Sequence, residues 1–323
     1  SKDITVVCRR MGGAFGGKES QAALIACLAA LAVDKTGRPC KLRLDRDDDM
    51  IMTGKRHDFV IDYDVGFDDE GRILGVDFEF AARCGMSADL SGPVNDRAMF
   101  HCDNAYFLEN VRIVSHRCKT NTVSNTAFRG FGGPQGMFAI EYVIDDIARK
   151  LDKDPLDVRR VNFYGQGERN VTHYQQVVED NIIGDLFDQL LASSDYENRR
   201  TEIRRYNEAS KVLRRGLAIT PVKFGISFTS TLLNQAGALV HVYRDGTVQL
   251  NHGGTEMGQG LYVKVAQVVA DEFGIGMDKI RTTAADTSKV PNASATAASS
   301  GSDMNGKAAQ KAAAKILKRL IVF

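Results

Sequence analysis

Residues 12–19 read Gly-Gly-Ala-Phe-Gly-Gly-Lys-Glu, a glycine-rich stretch that lies between a β-branched run and an apolar run. The run before it, Ile4 to Val7, predicts a buried strand, and residues 20–34 after it predict a helix that ends at Gly37. Glycines between a strand and a helix let backbone N–H groups converge on an anion at the helix N-terminus. The stretch therefore predicts a strand–turn–helix corner that binds an anionic ligand.

The same eight residues nearly match a nucleotide-binding P-loop. Gly12, Gly17 and Lys18 occupy the expected positions, but Glu19 stands where a Ser or Thr hydroxyl would bind magnesium. A carboxylate at that position repels a triphosphate, so the sequence disfavours a magnesium–nucleotide site. Glu19 then has two possible roles, interaction with the helix dipole and binding of a ligand, and the two roles are compatible.

Three further stretches are rich in glycine or other small residues: residues 126–135 (TAFRGFGGPQ), 252–260 (HGGTEMGQG) and 295–303 (ATAASSGSD). Glycines around Arg129 and Phe131 permit unusual backbone angles and the close approach of a ligand. The alternative is a tight turn with Phe128 and Phe131 in the core. Gln259 offers both a donor and an acceptor. The third stretch either lines a pocket floor with backbone amides or is a flexible loop. Together these stretches indicate a site for an anionic, phosphate-bearing ligand.

Strand and helix patterns alternate along the rest of the chain. Strands are predicted at residues 41–44, 59–65, 73–80, within 104–116, and at 237–243 and 247–251. Helices are predicted at residues 141–151, from Pro155 onward, and at 183–213, 260–273 and 303–320. This order predicts an α+β fold. Gly165 to Gly167 is the best boundary, which gives domains at residues 1–167 and 180–323.

Composition excludes several classes of protein. The net charge is +1, and no apolar run approaches the roughly 20 residues of a membrane-spanning helix, so neither nucleic acid nor a membrane is an expected partner. The most apolar stretch, Ala22 to Val33, has the length of a buried helix. Six cysteines form no C-x-x-C pair, which disfavours a zinc ribbon or an iron–sulfur ligand set. Several lie in apolar segments, which predicts reduced and mostly buried thiols in a cytoplasmic protein. We expect both ends of the chain to be cuts, because it starts without Met and directly enters a strand.

Seven motifs in order resemble the xanthine oxidase and xanthine dehydrogenase family. They are GGAFGGKE (12–19), DRAMFH (96–101), SNTAFRGFGGPQG (124–136), FGISFT (224–229), LNQAGALVHVY (233–243), HGGTEMGQG (252–260) and ATAAS (295–299). The resemblance implies two elongated mixed α/β domains with a molybdenum–molybdopterin cofactor between them. It implies that the pterin holds the metal without a direct protein ligand. The residues it implies around the cofactor are Phe15, Gly16, Arg129, Gln259, Ala298 and Ser299.

The resemblance also implies a purine substrate, because Glu19 and Arg97 match the family's purine-oxidising pattern and receive catalytic roles. A guanidinium can stabilise negative charge that develops on a heterocycle, and a carboxyl group can hydrogen-bond ring nitrogens. Read without the resemblance, Arg97 is a surface partner of Asp96 or Asp103. The remaining substrate-binding residues that the resemblance implies are Phe128, Phe131, Phe228, Thr229, Ala297 and Ala298.

The implied reaction is hydroxylation of hypoxanthine and xanthine to urate, as in purine catabolism. Water is the oxygen source, and electrons pass through 2Fe-2S clusters and FAD to NAD+. The family's glutamate base and these redox modules are not found in this sequence, so we expect the chain alone to be inactive and its parent to be a dimer. Gly301 departs from the family, where a serine is frequent. The alternatives are an aldehyde or N-heterocycle hydroxylase and a cofactor-binding module without activity.

Overall fold

A computed structural model of the chain describes residues 3–226, 234–289 and 293–321. The helices in these ranges are α1 (Ala22–Thr36), α2 (Arg46–Met52), α3 (Ser91–Phe100), α4 (Gly133–Leu151), α5 (Pro155–Asn162), α6 (Ile183–Ser194), α7 (Tyr196–Ala209), α8 (Leu261–Phe273) and α9 (Gly301–Leu320). The strands are β1 (Val7–Cys8), β2 (Phe59–Phe67), β3 (Ile73–Gly85), β4 (Val111–Lys119), β5 (Ala238–Val242), β6 (Val248–His252), β7 (Ile280–Thr282) and β8 (Ala285–Asp286). The predicted α+β class is confirmed.

The chain forms two compact units. The central unit comprises residues 24–224, and the terminal unit combines residues 1–23 with residues 225–323. The division into domains at residues 1–167 and 180–323 stays a prediction. Within the described ranges, no helix is both long and apolar enough to cross a bilayer.

The central unit is built on the hairpin of β2 and β3, which the sequence predicts. The Asp68 carboxylate accepts hydrogen bonds from the backbone N–H groups of Glu70 and Arg72, at 3.1 and 2.8 Å, and so closes the turn. β3 pairs antiparallel with β2 and parallel with β4. α4 covers this sheet, and its apolar face buries Ile140 and Ile144 in the same core as Phe78 of β3. α3 also packs in this core through Ala98, so the core fixes the positions of α3 and α4.

The terminal unit is built on the hairpin of β5 and β6, with β7 parallel to β6. Asp245 caps the hairpin turn by accepting from the Thr247 N–H at 3.0 Å, as the Asp-Gly signal predicts. α8 and α9 pack on the sheet and bury Val265 and Ala309 beside Leu250. β1 pairs antiparallel with β8 in a separate two-stranded sheet.

Several predicted elements have different bounds. Residues 41–44 form no strand, and the predicted helix at residues 183–213 is two helices, α6 and α7, because Asp195 adopts left-handed backbone with φ 51°. α4 begins at Gly133 rather than Glu141, since Pro134 lies in its first turn, where its missing N–H costs no hydrogen bond. The other predicted helices and hairpins are confirmed within a few residues.

Burial of the N-terminal region was predicted wrongly. Ile4 and Val7 are exposed, and α1 contains no buried residue although its stretch is the most apolar of the chain. Apolar periodicity reports which side chains would favour burial but does not show that any segment covers them. The thiols are free but not mostly buried, because only Cys84 and Cys102 are buried, Cys8 is half-buried, and Cys27, Cys40 and Cys118 are exposed.

Candidate functional site

Three of the four small-residue stretches meet in the terminal unit. The Met11 N–H, just before the first glycine stretch, donates to the Glu256 carbonyl at 3.0 Å. The Thr255 N–H donates to the Thr296 hydroxyl at 2.9 Å, which joins the stretch at residues 252–260 to the stretch at residues 295–303. Hydrogen bonds therefore join the three turns to one another within the terminal unit.

The first turn is shaped by its glycines. Gly13 has φ 100°, and a Cβ there would lie 2.5 Å from Cε2 of Phe15, so the ring covers a position that only glycine can occupy. Gly16 also has positive φ, at 95°. Lys18 donates back to the Gly13 carbonyl. Phe15 and Glu19 are exposed, so both side chains are available to a ligand.

The N-terminus of α8 is capped by a residue that the sequence analysis did not single out. The Glu256 carboxylate accepts from the N–H groups of Gly258, Gly260 and Tyr262, at 2.8, 3.1 and 3.1 Å. Burial raises the pKa of Glu256, but these backbone donors outweigh burial and hold the pKa below its ordinary value. An ionised carboxylate therefore already occupies the amides at this helix start.

Gln259 lies in the same turn and is exposed, but its side chain is folded onto its own backbone. Its Oε1 accepts from the Met257 N–H at 2.6 Å, and its Nε2 donates to the Thr255 carbonyl at 3.0 Å. The amide keeps a second hydrogen on Nε2 and a second lone pair on Oε1. Gln259 can thus bind a ligand while its orientation is fixed by the turn.

Three candidate residues have left-handed backbone although they carry side chains. The φ angles are 53° at Phe131, 56° at Ala298 and 59° at Ser299. Such angles cost about 1–3 kcal/mol each for non-glycine residues and cluster where a ligand is bound. Ala297 is half-buried next to this segment, and its carbonyl accepts from the Ser300 hydroxyl at 3.1 Å. The strain favours a functional role for these positions.

Two buried polar atoms beside these turns have no hydrogen-bond partner among the described residues: Nε2 of His252 and Oδ1 of Asn305. The Nδ1 atom of His252 accepts from the Gly254 N–H at 3.2 Å, so Nε2 carries the proton. Burial lowers the pKa of His252 to about 4. A Cβ at Gly254 would lie 2.8 Å from Nδ2 of Asn305 and 2.6 Å from Cδ2 of Leu261. The His252 donor and the Asn305 acceptor lie beside the glycine backbone at residue 254, and such unsatisfied atoms could hydrogen-bond a polar group of a bound cofactor.

Arg97 lies on α3 in the central unit and is 4% exposed. Its guanidinium stacks over the Phe224 ring, 5.3 Å from the centroid, and burial lowers its pKa from the ordinary value. Asp96 pairs with Arg117, and Asp103 pairs with Lys223. The interpretation of Arg97 as a surface partner of either aspartate is therefore wrong.

The Phe128–Gly133 turn packs directly on α3. A Cβ at Gly132 would clash with the Val94 carbonyl, and one at Gly136 would clash with the Ala98 carbonyl. The turn is closed by hydrogen bonds from the Phe131 N–H to the Phe128 carbonyl and from the Gly133 N–H to the Gly130 carbonyl, at 2.8 and 2.9 Å. Close contact between the turn and α3 thus places Phe131 and Arg97 on adjoining elements of one unit.

The aromatic residues of this turn are not core residues. Phe128 is 43% exposed, and Phe131 is half-buried, so the alternative of two core phenylalanines is wrong for Phe128. Arg56 stacks 4.5 Å over the Phe128 ring and donates from Nη2 to the Arg129 carbonyl at 2.6 Å. Arg129 itself is exposed. Arg56 was missed by the sequence analysis because it lies 73 residues from its partner without a local signal.

The candidate residues thus fall into two groups. The terminal unit carries Phe15, Gly16, Glu19, Gln259, Ala297, Ala298 and Ser299, and the central unit carries Arg97, Phe128, Arg129 and Phe131. Phe228 and Thr229 lie outside the described residues.

Family models match both parts of the chain. A model described as molybdopterin cofactor-binding domain matches residues 1–163, and a second model with the same description matches residues 189–323. The chain belongs to the molybdopterin cofactor-binding domain family. The predicted resemblance is confirmed at this level.

Curated relatives of the chain are named xanthine dehydrogenase or xanthine dehydrogenase/oxidase. Xanthine dehydrogenase/oxidase of Gallus gallus is 48% identical over 320 residues, which are 99% of this chain and 23% of that protein. Xanthine dehydrogenase 1 of Arabidopsis thaliana is 50% identical over 317 residues, 98% of this chain and 23% of that protein. The chain therefore spans less than a quarter of the length of these curated relatives.

Solved structures share the fold. The aldehyde oxidoreductase of Desulfovibrio desulfuricans ATCC 27774 matches with a TM-score of 0.77 and 25% identity, over 98% of this chain and 34% of that chain. Cu,Mo-CO dehydrogenase matches with a TM-score of 0.83 and 22% identity, over 98% of this chain and 42% of that chain. These likenesses support the fold and, at such identities, carry no argument about substrate.

Proposed function

We propose that the chain is the molybdopterin-binding part of a xanthine dehydrogenase, an enzyme that hydroxylates hypoxanthine and xanthine to urate. The observation that carries the substrate assignment is Arg97, a buried cation on α3 that stacks on an aromatic ring rather than pairing with Asp96 or Asp103. Burying a guanidinium charge is costly, and burial lowers the pKa of Arg97 from its ordinary value. Stabilising the negative charge that develops on a heterocycle when oxygen attacks its electron-poor carbon would account for a cation at this position.

The cofactor would be held by residues of the glycine-rich and alanine-rich turns. Phe15 and Gly16 in the first turn and Gln259 in the second would contact it, with Ala298 and Ser299 supplying backbone N–H groups in left-handed geometry. The Arg129 backbone is a further candidate contact. When bound, the cofactor supplies the redox chemistry, accepting two electrons from a substrate that gains oxygen from water. No protein ligand to the metal is proposed.

The chain's own residues would orient the purine and stabilise charge on it. The Arg97 guanidinium would donate hydrogen bonds to an exocyclic carbonyl oxygen of the purine as charge accumulates there. The Glu19 carboxyl would hydrogen-bond ring nitrogens and fix the ring's rotation. Phe131 would contact the purine ring through its aromatic side chain, with Phe128 beside it. Ala297 and Ala298 would form the remaining wall, where small side chains leave room for a flat molecule.

The remaining steps belong to other parts of the parent enzyme. We assign the general-base glutamate, the 2Fe-2S clusters and the FAD to domains or subunits outside this chain, which spans less than a quarter of its curated relatives. Electrons would pass through them to NAD+. The parent would be a cytoplasmic dimer in purine catabolism, and the chain alone would not turn over substrate.

The Arg97→Met substitution in the cofactor-loaded parent enzyme tests the purine assignment. Loss of one polar contact made in the transition state costs about 2.7–4 kcal/mol, so kcat/KM for xanthine should fall by about 10²–10³-fold. Turnover of benzaldehyde, which has no heterocycle with an exocyclic carbonyl oxygen to take up the developing charge, should change little. Arg112→Met is the matched control, because Arg112 is an exposed arginine of the same unit that pairs with Asp77. Equal losses on both substrates would show that Arg97 is structural.

A further inference from the structure

Two consecutive residues, Lys223 and Phe224, contact the α3 region at two points. Lys223 contacts Asp103, just after α3, and Phe224 contacts Arg97 on α3. The sequence separations are 120 residues for the first pair and 127 for the second. A short segment from a distant part of the chain thus binds both the helix that carries Arg97 and the loop that follows it.

The Lys223 end is a buried charged contact. The Asp103 side chain is fully buried and accepts from Lys223 Nζ at 2.5 Å and from the Tyr164 hydroxyl at 2.6 Å. Asn104 fixes the same segment, because its Oδ1 accepts from the Lys223 N–H at 3.1 Å and its Nδ2 donates to the Pro221 carbonyl at 2.9 Å. A buried carboxylate requires its partner, so this end holds the segment in one register.

The Phe224 end lies on the candidate site. Its ring is 5.3 Å from the Arg97 guanidinium carbon, and the edge of the His101 ring is next to it, with centroids 4.9 Å apart. A Cβ at Gly133 would lie 2.7 Å from Cε2 of Phe224, so the turn that carries Phe131 accepts the ring only because this position is glycine. Phe224 therefore contacts both α3 and that turn.

The chemistry of this contact suits an arginine that must bind a ligand. An aromatic ring attracts the charge of a guanidinium through the quadrupole of its face, and the guanidinium presents its N–H donors in one plane. Burial, and then the Arg97 and Lys223 charges, lower the pKa of His101 to about 4, so His101 is neutral near pH 7. The Phe224 ring thus contacts the guanidinium through a group that carries no negative charge.

We propose that Lys223 and Phe224 form a clamp that positions Arg97 and thereby contributes to purine specificity. The proposal rests on the proposed function of Arg97. Both clamp residues act through Arg97, so they are positioning residues and do not need to touch the substrate. Removing either end should leave the guanidinium present but poorly oriented.

The test uses the parent enzyme with its cofactor and compares kcat and KM for xanthine and benzaldehyde. Phe224→Leu removes the π-face but keeps an apolar side chain, and Phe224→Tyr keeps the ring. The free energy of a buried cation–π contact corresponds to a change of about tenfold or more in an equilibrium or rate constant. Phe224→Leu should therefore lower kcat/KM for xanthine by about tenfold. Phe224→Tyr should restore it, and benzaldehyde turnover should stay within about twofold of the wild type, which is the variation expected of distant substitutions.

Lys223→Met tests the other end with a side chain of similar length, and Lys223→Arg is its charge-conserving control. We expect Lys223→Met to reproduce the selective loss on xanthine and Lys223→Arg to lessen it. In the double variant Phe224→Leu with Arg97→Met, the loss should equal that of Arg97→Met alone, because both changes act on one group.

Three results would overturn the clamp: equal losses on both substrates in Phe224→Leu, a normal xanthine rate in both Phe224→Leu and Lys223→Met, or full additivity in the double variant. The proposed function fails separately, if Arg97→Met by itself does not discriminate xanthine from benzaldehyde. A selective Arg97→Met effect with non-selective clamp variants therefore rejects the clamp and retains the purine assignment.

Discussion

Replacing Gly132 by alanine should disrupt the junction between α3 and the turn that carries Phe131. Gly132 has φ 97°, and its missing side chain points at the Val94 carbonyl, while the Ala98 N–H nitrogen would lie 3.0 Å from a Cβ. Left-handed backbone costs a residue with a Cβ about 1–2 kcal/mol. Overpacking against backbone adds about 1–3 kcal/mol, so the free energy of unfolding should fall by about 2–5 kcal/mol.

The measurement is denaturant unfolding of the chain, followed by circular dichroism, for wild type, Gly132→Ala and Gly92→Ala. Gly92 is the matched control, because it lies on α3 and a Cβ there would have no neighbouring atom within 4 Å. Alanine there should be neutral or stabilise by up to about 1 kcal/mol, since it favours helix more than glycine does. If Gly132→Ala unfolds at the wild-type midpoint, the close packing of the turn on α3 is wrong, and the placement of Phe131 beside the Arg97 helix fails with it.

Three further outcomes are expected. Gly301→Ser should change stability by less than about 0.5 kcal/mol and leave cofactor content unchanged, because a Cβ there meets its neighbours at 3.4–3.6 Å; loss of molybdenum would contradict this. Glu256→Gln should lower the free energy of unfolding by about 1 kcal/mol, because it weakens the charge-assisted cap of α8, and an unchanged urea midpoint would refute the cap. Burial lowers the pKa of His101 and His252 to about 4, below the unfolded value of 6.5, so the unfolded state binds more protons between these values. The free energy of unfolding should therefore be greatest above pH 6.5 and should fall by roughly 3 kcal/mol per histidine as the pH is lowered to 4. Urea midpoints that stay constant over this interval would contradict this prediction.

Local signals predicted much of the fold because they act over a few residues. Asp154 and Pro155 predicted the start of α5, and the Asp154 carboxylate accepts from the Leu156 N–H at 2.9 Å. Asp245-Gly246 predicted the hairpin of β5 and β6. The exposure of α1 was not predictable from its apolar pattern, because burial depends on which segments pack against a helix.

For the candidate site, the sequence motifs proposed residues but could not predict the contacts that these residues make. The motifs drew attention to Gln259, but the carboxylate that caps the same turn is Glu256. Left-handed backbone at Ala298 was unexpected because, unlike glycine, alanine gives no signal for positive φ. The pairing of Lys223 with Asp103 spans 120 residues, so only the folded chain brings these charges together.

The most direct test of the account is the substrate profile of the parent enzyme, purified with measured molybdenum and pterin content. The account predicts that the cofactor-loaded enzyme converts xanthine to urate with a kcat/KM well above its value for benzaldehyde. Benzaldehyde turnover without urate formation, at full cofactor content, would contradict the purine assignment and favour an aldehyde or N-heterocycle hydroxylase.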